Sequence, residues 1–250
     1  MDTTVIFLLG AVAGLIDSMA GGGGLITLPT LAIALGPGAL AIGTNKIPGT
    51  VGALTALWVY ARRKHLSWRI GILFAGCVGA ASFFGSLVTP HLPPRFFHWF
   101  LAASCPLILW IVFSRDVWIR SDLAHAPKTD VSRRAVAIAG LACGFYDGAW
   151  GPGGGTFMLL SLILWAKLPL LPALAASKLA NSASAATSLA GYSWSENVAW
   201  REGLVIAAGV ATGAYVGANY ASEKAARVVR PTLAVLAVLL LIRVLMDSAR

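Results

Sequence analysis

Charge is scarce in this chain, and acid is scarcest: 19 Lys and Arg stand against 10 Asp and Glu, and charged residues make up 12% where a soluble domain carries about 25%. So few charges cannot cover a water-soluble globule. With 58% hydrophobic residues and a mean hydropathy of +0.77, the sequence reads as an integral membrane protein. Cysteine is almost missing as well. Cys77, Cys105 and Cys143 stand singly in apolar sequence, which gives neither a disulfide framework nor a metal spacing and leaves them as small core residues. The four histidines, His65, His91, His98 and His125, fall in loops or at segment edges. No His-Glu-x-x-His, no Gly-x-Ser-x-Gly and no Gly-x-x-x-x-Gly-Lys-Ser/Thr occurs. An intramembrane enzyme therefore has little to rest on, no cofactor or metal is expected, and energy for any transport has to come from a gradient or another subunit. The net charge of +9 gathers in short loops, where Lys and Arg set membrane orientation, which argues against nucleic acid as a partner. Met1-Asp2-Thr3-Thr4 places an acid where a secretory signal would carry Lys or Arg, so residues 5–20 are expected to stay in the mature protein.

What the chain does have is apolar segments of helical length, which predict an all-α polytopic bundle rather than an outer-membrane barrel. Five lie in the first half, at about 5–20, 25–35, 41–61, 70–89 and 96–114, and five in the second, at about 135–150, 155–166, 170–192, 202–221 and 228–246. The halves are copies. An offset of 132 positions pairs Lys46 with Lys178, Thr55 with Thr187, Tyr60 with Tyr192, Trp68-Arg69 with Trp200-Arg201, Gly71 with Gly203, Gly85 with Gly217 and Arg95 with Arg227. Residues 1–114 read as one membrane repeat, 115–134 as a cytoplasmic linker and 135–250 as the second repeat.

Loop charge swaps between the copies. After the third segment the first half reads Arg62-Arg63-Lys64-His65, and before its fifth segment it holds only Arg95; in the second half Arg201 is offset by Glu196 at 193–201, while Lys224, Arg227 and Arg230 follow later. The basic loops should be cytoplasmic. An odd five segments per half then makes the second repeat enter from the opposite face, giving inverted topology with both termini outside the cytoplasm. The tryptophans Trp58, Trp68, Trp99, Trp110, Trp165, Trp194 and Trp200 read as interface anchors.

Each copy is interrupted by glycine: Asp17-Ser18-Met19-Ala20-Gly21-Gly22-Gly23-Gly24, and Asp147-Gly148-Ala149-Trp150-Gly151-Pro152-Gly153-Gly154-Gly155. A glycine costs roughly 1 kcal/mol against alanine inside a helix, so runs of them are hard to explain as ordinary helix. Gly10 and Gly14 fit close helix packing. At membrane depth a broken helix is a candidate binding site, because freed amides persist only inside protein or beside a water-lined cavity. The segments after the breaks have about 11 or 12 residues, too few to cross alone. We expect about 8–10 membrane segments, with short broken or re-entrant helices meeting at the glycines.

Lys46 and Lys178 lie just inside the third segment of each half. A lysine in a membrane costs at least about 2.5–3.5 kcal/mol, so a twice-placed one is a functional-site candidate. Snorkelling, or neutralisation by Asp17 and Asp147, is the structural alternative. Amides at Gly22, Gly23, Gly24, Gly153, Gly154 and Gly155 would offer partial positive charge to an anion. Thr44, Asn45, Ser177 and Asn181 would add neutral donors, and Trp150 would wall the site. A small oxyanion fits this set. Asp17 and Asp147 could take up a proton and couple anion movement to a gradient, pair with the lysines, or cap freed amides.

At these motifs the chain resembles the sulfite exporter TauE/SafE family of permeases, also called the TSUP family. The likeness rests on the glycine run after the first segment, Gly43-Thr44-Asn45-Lys46, the glycines at 151–155 and Ser177-Lys178, and it extends over essentially the whole chain. It implies a secondary transporter of sulfite, sulfoacetate or related organosulfonates in the bacterial cytoplasmic membrane. The second half has Ala176-Ser177 where Thr44-Asn45 stand, so the two halves need not contribute equally. Protons are admitted as the coupling ion and a homodimer is allowed. An anion channel, or a permease for a carboxylate, stays open as the alternative.

Overall fold

A computed structural model describes residues 2–91 and 132–248, and all regular structure in them is helical. The expected fifth segment at 96–114, most of the linker, and Arg95, Trp99 and Trp110 lie outside the described residues. In chain order the helices are α1 (Thr3–Ala20), α2 (Gly24–Leu35), α3 (Ala39–Arg62), α4 (Trp68–Val88, continued by a 3-10 turn at Thr89–His91), α5 (Arg133–Ala149), α6 (Gly154–Leu164), α7 (Leu170–Trp194) and α8 (Trp200–Ser248). The last is broken at Lys224, where φ is −133° and ψ 32°.

Among the described residues three spans are long and apolar enough to cross a membrane: Thr3–Ala20, Trp68–His91 and Trp200–Lys224. Helices α2 and α6 have 12 and 11 residues, roughly 17 Å, which is too short. Large apolar side chains such as Leu8, Val12, Ile72, Phe84, Ile138 and Leu204 face outward, where lipid rather than water can solvate them. Trp58, Trp68, Trp165, Trp194 and Trp200 are exposed near helix ends, as interface anchors would be.

The packing partners exchange under the repeat. Helix α1 packs on α8 and α4 on α5; α3 packs on α8 and α7 on α4; and α3 and α7 pack on each other. Small residues let the backbones approach: Gly10 and Gly14 of α1 lie against Ile206 and Val210, and Gly140 and Gly144 of α5 against Phe74 and Val78. The chain also leaves α3 and α7 by the same turn. Lys64 and Glu196, repeat mates, take φ of 58° and 57°. His65 N–H bonds the Tyr60 carbonyl at 3.1 Å, and Asn197 N–H the Tyr192 carbonyl at 2.8 Å.

The two long helices run antiparallel. The exit of α7 lies beside the start of α3, where Ala199 N–H donates to Thr44 Oγ1 at 2.9 Å. The exit of α3 leads to Gly71, where a Cβ would stand 3.6 Å from that of Ala176 near the start of α7. Helix α3, about 36 Å long, therefore separates the turn at 63–65 from the turn at 195–197.

Candidate functional site

Each glycine break ends one helix and aims the next. Gly21, at φ 84°, closes α1 by donating to the Asp17 carbonyl at 2.7 Å, and Gly151 and Gly153 take φ of 88° and 75° in the second break. The left-handed region favours glycine at these positions. The breaks touch. A Cβ on Gly155 would stand 2.9 Å from the Gly21 carbonyl oxygen, so little more than hydrogen fits, and Thr156 Oγ1 donates to the Ala20 carbonyl at 3.1 Å. Helices α2 and α6 start from this meeting point with first-turn amides that have no partner within their own helix. Among the described residues no acceptor meets the amides of Gly24, Gly153 or Gly155.

A cavity of about 50 Å³ lies between the breaks. Of the residues expected there, it is lined by Gly23, Gly24, Gly153 and Gly155 and by Asn45, Lys46, Asn181, Asp17 and Asp147. Gly22 and Gly154 stand behind it; Gly154 sits under the Asp147 carboxylate, where a Cβ would come within 2.7 Å of Cγ. Thr44 and Ser177 serve the backbone instead. Thr44 Oγ1 donates to the Leu40 carbonyl at 2.7 Å, and Ser177 Oγ to the Leu174 carbonyl at 2.8 Å. Trp150 is buried beside Tyr146, ring centroids 6.3 Å apart, and is no part of the wall.

Neither lysine snorkels. Lys46 is 4% exposed and Lys178 fully buried, and each reaches across to the other half. Lys46 Nζ lies 3.1 Å from Asp147 Oδ2 and also bonds the Asp147 carbonyl; Lys178 Nζ lies 2.9 Å from Asp17 Oδ2 and bonds the Asp17 carbonyl. Structural pairing is thus present twice. Lys46 faces the cavity as well, and Lys178 does not. The four charges sum to zero.

The aspartates differ in their other partners. Asp17 Oδ1 accepts the Gly23 amide at 3.1 Å, whereas Asp147 Oδ2 accepts the Ser184 hydroxyl at 2.6 Å. Behind Ser184 stand Ser82 and Ser188, with Ser82 Oγ 2.6 Å from Ser184 Oγ and 2.8 Å from Ser188 Oγ. Among the neutral donors, Thr27 Oγ1 donates to Asn45 Oδ1 at 2.5 Å, which turns Asn45 Nδ2 toward the break. Asn181 is 8% exposed, lines the cavity and has no hydrogen-bond partner among the described residues.

Sequence reasoning missed Thr27, the serine cluster and two tyrosines. Tyr60 donates to the Ser18 carbonyl at 2.8 Å and Tyr192 to the Gly148 carbonyl at 2.9 Å, each satisfying a carbonyl at the end of α1 or α5. Their pairing under the repeat was the available signal. The serines carry no such signal, since their repeat mates are Gly52, Ala56 and Ala214.

Comparison with known proteins agrees with this architecture. The family model described as sulfite exporter TauE/SafE matches residues 6–244. A probable membrane transporter protein, ORF9, of Sinorhizobium sp is 32% identical over 97% of this chain and 92% of its own. The probable membrane transporter protein YfcA of Escherichia coli K12 is 30% identical over 98% and 90%. A probable membrane transporter protein of Haemophilus influenzae is 29% identical over 98% and 94%. No solved structure matches.

Proposed function

The chain belongs to the sulfite exporter TauE/SafE family, membrane transporters rather than enzymes, and from that premise we propose that it carries a small sulfur oxyanion through the cavity between its glycine breaks. The observation that carries this reading is Asn181. Asn181 is 8% exposed, turns its carboxamide into the cavity and has no hydrogen-bond partner among the described residues, so the carboxamide is free to bond what enters. Around it stand an ammonium, Lys46, and the amides of Gly24, Gly153 and Gly155, which no acceptor meets among the described residues, beside the Asp17 and Asp147 carboxylates. Size narrows the substrate. At about 10–15 Å³ per water, a 50 Å³ cavity holds about four waters or one oxyanion of four or five heavy atoms. Sulfite, sulfate or thiosulfate fits as the site stands, and sulfoacetate or a larger organosulfonate requires it to open.

The protein would work in a bacterial cytoplasmic membrane, with two inverted repeats, both termini outside the cytoplasm and alternating access by rocking of one helix group against the other. The antiparallel course of α3 and α7 and the reciprocal lysine–aspartate pairs support this arrangement.

The test is thermal stabilisation of the purified protein by sulfite, sulfate, thiosulfate, sulfoacetate and acetate, followed by calorimetry. We expect a rise with a small sulfur oxyanion, none with acetate, and loss of the response in Asn181→Ala. Equal response to acetate, or none to any sulfur anion at millimolar concentration, would overturn the assignment.

A further inference from the structure

We infer that Asp147, and not its repeat mate Asp17, takes up a proton as the anion enters, held in both its charged and neutral forms by the hydroxyls of Ser184, Ser82 and Ser188. This deepens the anion reading above and rests on it.

The four charges at the site already cancel, so an arriving anion brings a charge with no partner into a buried place, which is expensive. Lys46 is the one ammonium of the pair that lines the cavity. When it turns to the anion it leaves Asp147, a 4% exposed carboxylate, without its cation. A proton delivered through cavity water converts that carboxylate to the acid. Lys46 stays an ammonium and now pairs the anion, and for a monoanion the net charge of the site is unchanged.

A carboxylic acid needs an acceptor for its own hydrogen, and here the two aspartates part. Among the described residues, the groups that bond the Asp17 carboxylate, the Lys178 ammonium and the Gly23 amide, only donate. Asp147 has a hydroxyl, which can do either. With Asp147 ionised, Ser184 donates to it at 2.6 Å. With Asp147 protonated, Ser184 accepts and turns its hydrogen to Ser82 Oγ at 2.6 Å. Ser82 in turn finds the Ser184 carbonyl at 3.1 Å or Ser188 Oγ at 2.8 Å, and Ser188 bonds the Ser184 carbonyl. All three serines are fully buried, so the reversal leaves no polar group stranded and needs no water. The positions corresponding to them around Asp17 are Gly52, Ala56 and Ala214, which carry no hydroxyl.

Among the described residues the groups facing Asp147 are few. Lys46 comes from α3 and Tyr192 from α7, Cys143 lies one turn earlier on α5, and Asp17 stands across the cavity on α1. Helix α6 has no titratable residue. Helix α4 offers Ser82; its Cys77 lies level with Gly140, two turns away along α5, and its Arg69 is at the far end.

The test is infrared difference spectroscopy of the full-length protein in lipid vesicles, titrated with acid and followed at the carboxylic-acid C=O band. We expect one buried carboxyl band that vanishes in Asp147→Asn, persists in Asp17→Asn and shifts in Ser184→Ala, a small change that keeps the fold. At constant pH, thiosulfate, which does not titrate near neutrality, should strengthen the band in wild type. Persistence of the band in Asp147→Asn, or its loss in Asp17→Asn, would overturn the inference. An Asp147 band that ignores an anion which raises the protein's melting temperature would overturn the inference and leave the anion reading standing, whereas a band that ignores every anion in a protein that no anion stabilises would overturn the anion reading itself.

Discussion

At the scale of single residues the site is an exchange of partners between halves. Burial makes each ion pair all-or-none: taking away one member strands the other in a poorly solvated place, at a cost of about 3–5 kcal/mol. Lys46→Ala should therefore lower the unfolding midpoint in detergent markedly, and adding Asp147→Ala should recover most of the loss. If the double variant melts no higher than the single, the pair is not what holds the site. A finer effect belongs to Thr27, whose hydroxyl fixes the Asn45 carboxamide. Thr27→Val keeps the shape and removes the hydroxyl that bonds Asn45 Oδ1 and the Gly23 carbonyl; the loss, about 1 kcal/mol, should lower the melting temperature by a few degrees, and the Asn45 carboxamide it releases should weaken anion binding measured by calorimetry. The charged residues were legible as important because charge is rare at membrane depth. Who pairs with whom was not, since Lys46 bonds a residue 101 positions away and Lys178 one 161 away. Thr44 and Ser177 looked like donors by type and position, yet a helical Thr or Ser readily satisfies itself on a carbonyl three or four residues back, and both do.

At the scale of elements, glycine has two uses here, and substitution separates them from a third, idle position. Gly144 presses α5 onto α4, where an added methyl would stand 2.7 Å from the Val78 Cα. Gly144→Ala should cost about 1–3 kcal/mol through overpacking. Gly76, on α4, has no heavy atom within 4 Å of where a Cβ would go. Gly76→Ala should be neutral or stabilise by up to about 1 kcal/mol, because alanine is the better helix former. Chemical unfolding of the two variants side by side checks the opposite signs. Hydropathy located the described helices within a few residues, since an apolar run marks a lipid-facing helix directly. The glycine runs marked the breaks because nothing else explains consecutive helix-breaking residues in apolar sequence. The contact between the two breaks, Gly21 on Gly155, is a tertiary fact that no local pattern encodes.

At the scale of the whole molecule, orientation follows from how the two long helices run. Arg62 and Trp194 are repeat mates at the ends of α3 and α7, both exposed. Because α3 and α7 are antiparallel, these two positions lie at opposite ends of the bundle, some 36 Å apart by helix length. By the positive-inside rule the basic stretch Arg62-Arg63-Lys64 would put the first on the cytoplasmic side, as the proposed topology requires. At the other end, Trp194 adjoins the loop at 195–199, which carries Glu196 and no Lys or Arg, and Arg201 in the first turn of α8 is followed by Glu202, which suits the opposite face. In a background with Cys77, Cys105 and Cys143 replaced by alanine, Trp194→Cys should react with a membrane-impermeant maleimide in intact cells, whereas Arg62→Cys should react only after the membrane is opened. Equal labelling of both from outside would mean that the repeats share one orientation. The reciprocal pairing of Lys46 with Asp147 and Lys178 with Asp17 could then no longer be read as the two halves of one inverted gate.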